Sequence, residues 1–418
     1  MLGREVSPGA ALTFLLVILA LAYSVLSGMW GVVVTDFFQF ALAMTGSIVL
    51  AIAAVKHVGG IGNIRPLMQA SEAAPASVLR FAPEPGAGQL ALITFGVYLG
   101  VQWWAFRNAD GGEYIGLRAM ACRDDRHARL SILWYSFAHY VLRPWPWILV
   151  GLISIIVYPK LSDPELGYPK MMMEFLPVGI RGLMVASLLA AFMSTVDTHL
   201  HWGASYLAND IYKRFIHPSA SDKHYVLAAR VGMILMAALA VWASSIMTSI
   251  EWAWKFLVAI GAGVGLVYLL RWYWWRINAW SEISAMLCSL AAAAALFSSP
   301  LGAREYEGVR LLMIVAGSTV MWLTVTFLTR PTKQENLKEF YRRVRPGGPG
   351  WRHIERELGL EPQSLARDLV GALGGAVFIY SSLFTLGKAL LGFSMAEWLP
   401  FGVIAVISGA VTVACLRE

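Results

Sequence analysis

Eleven apolar stretches decide what this chain can fold into, because each is near the roughly 20 residues a helix needs to cross a bilayer. They centre on 8–28, 32–55, 89–106, 131–158, 180–208, 225–247, 251–274, 278–298, 309–329, 368–392 and 397–415. Of the 418 residues, 58% are hydrophobic and 14% charged, more apolar surface than a soluble domain of this size can hide. The chain therefore reads as an all-α polytopic membrane protein with about eleven transmembrane helices. No long strand-like alternation separates the stretches. The opening MLGREVSPGA precedes an apolar run long enough to span and shows no convincing cleavage site, so that run is read as a helix.

The formal charge of +7 reflects a cytoplasmic excess of Lys and Arg, and nucleic acid is not an expected partner. With the N-terminus outside and the C-terminus cytoplasmic, inner loops hold about 20 basic residues and outer ones about nine, as the positive-inside rule requires. The inner clusters are Arg107 to Arg129, Lys213 to Lys223 and Arg330 to Arg367. The last of these is the one sizeable soluble piece, read as a solvated linker in preference to short helices at the inner surface. The Pro- and Ala-rich loop SEAAPASVLRFAPEPGAG is expected to be irregular. Cys122, Cys288 and Cys415 have neither metal nor disulfide spacing. No GxxxxGK[ST] sequence is present, which argues against ATP-driven pumping.

One span breaks the apolar rule. In AAFMSTVDTHLHWGASYLANDIYKRF, helical periodicity puts Ser187, Ala191, Ser194, Thr198, His201 and Ser205 on one narrow face. Thr195 lies beside that face and Asp197 borders it. A polar stripe in hydrocarbon must turn toward the bundle interior or a water-filled path. Its hydroxyls can serve as glue between helices. They can also hold an alkali cation, which takes about five or six hard oxygen ligands. Ser194, Thr195 and the poorly covered carbonyl of Ala191 would supply three, all neutral.

Other polar residues at membrane depth have competing readings. Arg143 lies mid-span between His139 and the prolines Pro144 and Pro146. It either pairs with Asp36, Asp197 or carbonyls freed near those prolines, or orients an anionic group on a substrate. Asp197 and His201 can form a proton relay, which would make a proton symporter. Gly261, Gly263 and Gly265 suit close helix packing. Lys255 reads as snorkelling to the interface, and RWYWWRINAW as an interfacial aromatic belt.

The stretch AAFMSTVDTHLHWGASYLANDIYKRF resembles the signature helix of the sodium:solute symporter family. SVLSGMWGVVVTDFFQF, AHYVLRPWPWILV and LLRWYWWRINAWSE are similar to that family in the same order. The resemblance implies a leucine-transporter-type fold of two inverted five-helix repeats, with further helices outside them. It implies sodium-coupled symport of a small organic solute in the plasma membrane, with Na+ as the coupling ion and no covalent reaction. It makes Ala191, Ser194 and Thr195 the sodium ligands on core helix eight. In the same way Asp36 in TDFFQ belongs to the inward ion path, with Asp197 beside it, and Tyr98 and Gln102 in VYLGVQWW to the substrate site. The chain then divides into a partial transporter core (1–274, core helices four to ten), outer membrane helices (275–329), a cytoplasmic basic segment (330–367) and C-terminal membrane helices (368–418).

The resemblance has a gap. The first span, ending YSVLSG, is similar to core helix four, and nothing matches core helices one to three. Two hydroxyls and one carbonyl are too few oxygens to replace a sodium ion's water, so this chain alone is expected not to transport. The expectation is a truncated reading of a longer gene or a gene fragment, with a split transporter completed by a second polypeptide as the alternative. A non-transporting membrane scaffold or sensor is a further reading. The DNA upstream of the Met1 codon checks this. Truncation requires on the order of 150 in-frame codons that encode apolar helices; a stop followed by a long intergenic gap contradicts it.

Overall fold

In the computed structural model the described residues are 29–74, 78–80, 82–84, 86–105, 122–247, 249–361 and 365–416, with Leu15, Ile18, Gly116 and Ala119; the side chains of 29–36, 102, 194, 197 and 246 lie outside that description. They fold into helices. In chain order these are α1 (Met29–His57), α2 (Ile61–Ala70), α3 (Gln89–Gly100), α4 (Gln102–Ala105), α5 (Asp125–Phe137), α6 (Pro144–Val157), α7 (Gly167–Phe175) and α8 (Val178–Ser205). They continue as α9 (Asp222–Ile246), α10 (Ile250–Leu270), α11 (Ala279–Phe297), α12 (Glu307–Leu328), α13 (Gln334–Val344), α14 (Arg352–Leu358), α15 (Leu365–Leu390) and α16 (Met395–Leu416).

Among the described residues nine helical segments are long and apolar enough to cross a membrane. They match nine of the eleven predicted spans. The stretch at 89–106 differs, because its helix stops at Gly100 and restarts at Gln102. The stretch at 8–28 lies outside the described residues apart from Leu15 and Ile18. Protein covers the membrane windows unevenly, from 6% of that of α15 and 11% of that of α16 to 44% of that of Asp125–Val157. The rest needs lipid tails as its solvent.

Local chemistry sets where the helices begin. Asn278 accepts hydrogen bonds from the amides of Trp280 and Ser281 at 2.9 and 3.1 Å, while Ser281 Oγ accepts from the Asn278 amide, a capping box that opens α11. Ser249 caps α10 by accepting from the Trp252 amide at 3.1 Å. Asp124 caps α5 by accepting from the His127 amide at 2.8 Å. Before α6 the winding widens into a π turn over Ala138–Leu142, and Pro144, which has no amide to donate, starts the next helix.

The chain forms two compact units, residues up to Ala74 with Arg143–Thr248, and Pro75–Leu142 with Ser249–Glu418. In the first unit α8 packs on α1 and α9. Gly46 of α1 meets the Met184 side chain, and Leu200 and Ala204 of α8 bury against Met233 and Ala237 of α9. Ser47 of α1 is buried and accepts from Trp147 Nε1 at 2.9 Å and from the Tyr168 hydroxyl at 3.1 Å. In the second unit α10, α11 and α12 are knitted by serines. Ser289 donates to the Ile260 carbonyl and Ser318 to that of Gly263, each at 2.6 Å. Hydroxyl-to-carbonyl bonds of this kind substitute in lipid for the hydrophobic effect that joins helices in water.

The segment after α12 departs from the solvated-linker expectation. Helices α13 and α14 bury Leu337, Tyr341, Trp351 and Ile354 in a core of their own. The Tyr341 hydroxyl donates to Glu355 at 2.6 Å, and Lys338 pairs with Glu357 at 2.8 Å. Trp351 Nε1 donates to the Trp272 carbonyl at 2.9 Å, tying this small core to the loop between α10 and α11. Gly350 rests on the Tyr273 carbonyl so closely that a Cβ would overlap it. The apolar positions were present in the sequence, but the charges between them dominate the average.

Two outcomes follow. Trp351→Ala removes the largest member of this core, at a cost of about 3–5 kcal/mol, so trypsin should cut after Arg342 and Arg343 much faster than in the parent; an unchanged rate contradicts the packing. Burial and the bond to Glu355 push the Tyr341 phenol up from 10.0 to about 12. Its contribution is whole below pH 10, where the phenol is neutral folded or unfolded, and is lost as pH rises toward 12. In Tyr341→Phe that alkaline increase in cleavage should be absent.

Candidate functional site

The face of α8 read as an ion cradle lies between two packed regions. Its first half is held by α1 and its second by α9. Between them Ala191 and Thr195 are exposed. Thr195 Oγ1 donates to the Ala191 carbonyl at 2.8 Å, so two of the three predicted ligand atoms are in contact. Both are hard neutral oxygens, the donor type an alkali ion takes. The third residue, Ser194, has its side chain outside the described residues, as does Asp197. Further along the stripe, Ser187 is buried and bonded to the Met184 carbonyl at 2.9 Å, while Thr198 and His201 are half-buried. Ser205 Oγ accepts from Asn209 at 3.1 Å, where the helix widens into π winding over Tyr206–Ile216. A π segment is rare and marks a place where regular winding gives way to another demand.

Arg143 stands between the π turn and Pro144. Its guanidinium lies 5.4 Å from the centre of the Trp147 ring, and its Nε is buried with no hydrogen-bond partner among the described residues. The π turn also alters the helical register in which His139 was placed four residues before Arg143 on one face. His139 stacks on Tyr135 with ring centroids 5.1 Å apart. The side chain of Asp36, on α1, lies outside the described residues.

The second unit holds Tyr98 and Gln102 on either side of the break between α3 and α4. The Gln102 side chain lies outside the described residues. Tyr98 donates its hydroxyl to Glu307, so that hydroxyl already has a protein partner. Past the break, the carbonyls of Trp104 and Ala105 seat on α10 at Gly265 and Gly261, where a Cβ at either glycine would overlap them. The glycines read as packing elements thus admit the backbone of a broken helix. Lys255, read as snorkelling, is instead 2.7 Å from Glu251 and 2.8 Å from Glu307.

Sequence reasoning missed Glu307, Ser47 and the pair of Tyr158 with Glu174. The Tyr158 hydroxyl donates to Glu174 beyond the end of α6, and burial with that carboxylate pushes the phenol up to about 12. Ser47 lay inside an apolar run and Glu307 among charged residues just before one, and averaged hydropathy singles out neither. Among the described residues no three His, Cys, Asp or Glu side chains gather as metal ligands.

The sodium:solute symporter family model matches residues 6–289, and the chain belongs to that family. It is 27% identical over 350 residues to the osmoregulated proline transporter OpuE of Bacillus subtilis (strain 168), covering 79% of this chain and 65% of the relative. It is 26% identical over 313 residues to the sodium/glucose cotransporter of Vibrio parahaemolyticus, covering 68% of this chain and 56% of the relative. The chain therefore spans somewhat less than two thirds of the length of these relatives. A Na+-coupled sialic acid symporter solved in a substrate-bound outward-open state shares the fold, with a TM-score of 0.54, 18% identity, and coverage of 80% of this chain and 69% of that one. The resemblance read from the motifs is borne out, and with it the all-α membrane fold.

Glycine substitutions test the seating of the broken helix. Gly261→Ala or Gly265→Ala places a methyl on backbone that cannot yield, and should lower the unfolding temperature in detergent by several degrees. Gly317→Ala, with nothing within 4 Å of the added Cβ, should be neutral or stabilising by up to about 1 kcal/mol. Equal effects at the three sites contradict the assignment.

Proposed function

We propose that this chain serves as a secondary transporter, in sodium-coupled symport of a small organic solute in the plasma membrane. Membership of the sodium:solute symporter family supports the reading, as do relatives that carry proline and glucose. The single observation that carries it is the exposed oxygen pair on α8, Thr195 Oγ1 and the Ala191 carbonyl 2.8 Å apart. Sodium would supply a positive charge that moves down its own gradient. Ala191, Ser194 and Thr195 would hold it with neutral oxygens, so the cation keeps net charge and can leave again.

The other residues take supporting roles in this reading. Thr195 presents a lone pair to the ion by rotating its hydroxyl away from the Ala191 carbonyl, which frees that carbonyl as a second ligand. Asp36 and Asp197 line the way out for the cation. Arg143, with one nitrogen buried and unpaired among the described residues, orients an anionic group of the solute. Tyr98 and Gln102 flank the solute at the break in its helix. The outward-to-inward change is a population shift between two arrangements that bind ion and solute together.

The test is uptake of proline and of glucose into vesicles by the protein expressed from its own locus. Uptake should follow an imposed sodium gradient and persist when the proton gradient is collapsed. Ser194→Ala and Thr195→Ala should each raise the sodium concentration needed for half-maximal uptake about tenfold or more, and the double variant should abolish coupling. Uptake indifferent to both substitutions, or to the removal of sodium, would defeat the proposal.

A further inference from the structure

We propose that Glu307, the first residue of α12, is a positioning residue for Tyr98 and so for the last helical turn before the break in α3. This rests on the transport reading for its consequence, though not for its geometry. Glu307 is 7% exposed, a carboxylate almost wholly removed from solvent. Such a group is tolerable only when fully paired. One oxygen accepts the Tyr98 hydroxyl and the other meets Lys255 Nζ at 2.8 Å. Lys255 is held in turn by Glu251 at 2.7 Å, one turn earlier on α10, and Arg304 lies 3.7 Å from Glu251 at the exposed rim. The carboxylate also sits in the first turn of α12, where the helix dipole favours negative charge.

The backbone around this network leaves little play. A Cβ on Gly308 would stand 2.6 Å from the Thr94 Cα, so α12 touches the backbone of α3 one turn before Tyr98. Val97 and Val101 bury with Val258, Leu311 and Ile314 in the same core. Arg310, one turn beyond Glu307, is turned to other partners, the Phe297 ring at 4.2 Å and the Leu301 carbonyl at 2.7 Å. Glu307 is therefore the acidic residue of α12 that reaches α3. Helix α3 ends two residues after Tyr98, at Gly100, with the Val101 amide still bonded to the Val97 carbonyl at 2.7 Å. The Tyr98–Glu307 contact adds a side-chain anchor to that turn.

Two things follow for specificity. Because the Tyr98 hydroxyl hydrogen is engaged by Glu307, what Tyr98 offers a solute is its ring and not a donor. A helix outside the expected ten-helix core then sets where that ring stands. The solute surface facing Tyr98 should be apolar.

A double-mutant cycle on the full chain tests the anchor without transport. Tyr98→Phe and Glu307→Gln are made singly and together, and thermal unfolding is followed in detergent. The double variant should unfold no lower than the more damaging single one, because both remove the same contact. Strictly additive losses overturn the proposal. The positioning role is read from the KM for solute in the locus-expressed protein. Glu307→Gln should raise KM about tenfold at nearly constant maximal rate, Lys255→Met should shift it the same way, and Lys255→Arg should restore it. A KM that does not move in Glu307→Gln overturns positioning even if the cycle couples. Absence of sodium-driven uptake by the unmutated protein would count against the transport reading, and the cycle then decides the anchor by itself.

Discussion

The constraint behind every feature of this protein is that hydrocarbon offers no hydrogen bonds. A backbone amide or carbonyl left unpaired in the bilayer costs several kcal/mol. Long uninterrupted helices are the solution over most of the chain, and their apolar flanks need no protein cover. Departures from regular winding therefore stand out. The described chain departs in three membrane segments: at the break after Gly100, at the π turn before Pro144, and in the π winding after Ser205. The first two lie beside Tyr98 and Arg143, residues to which the functional reading assigns work.

Helices that cannot rely on the hydrophobic effect for pairing need close approach and polar stitches. Gly261 and Gly265 admit carbonyls where any side chain would collide, and Ser289 and Ser318 bond backbone on neighbouring helices. Glu307 and Lys255 extend the same logic to charge. A buried ion pair adds little net stability, but removing one partner strands the other, so the geometry it enforces is strict. That strictness is useful where a helix has been broken and its last turn would otherwise fray.

The sequence was legible where a residue's meaning is carried by periodicity. Nine apolar windows became helices because span length and hydropathy are local properties. The contact of Thr195 with the Ala191 carbonyl was legible because the two residues are one turn apart, and it follows from helix geometry alone. What stayed hidden depends on partners far along the chain. Nothing near Tyr98 announces Glu307, 209 residues away. Lys255 reads as a snorkelling lysine until its two carboxylates are placed. The core of α13 and α14 was masked by alternating charges, since Leu337, Tyr341, Trp351 and Ile354 are too few to raise the average. Motifs, by contrast, carried the family, because the signature helix keeps its residues in order.

The central claim is that the hydroxyl and carbonyl oxygens exposed midway along α8 form part of a sodium site. Ligand binding to the folded state raises its unfolding temperature by mass action, so the ion can be detected without transport. The direct measurement is thermal unfolding of the locus-expressed protein in detergent as sodium replaces choline at constant ionic strength. The account predicts a saturable rise in unfolding temperature with sodium that is lost in Thr195→Ala. An equal rise with potassium, or a sodium response that survives the substitution unchanged, would contradict it.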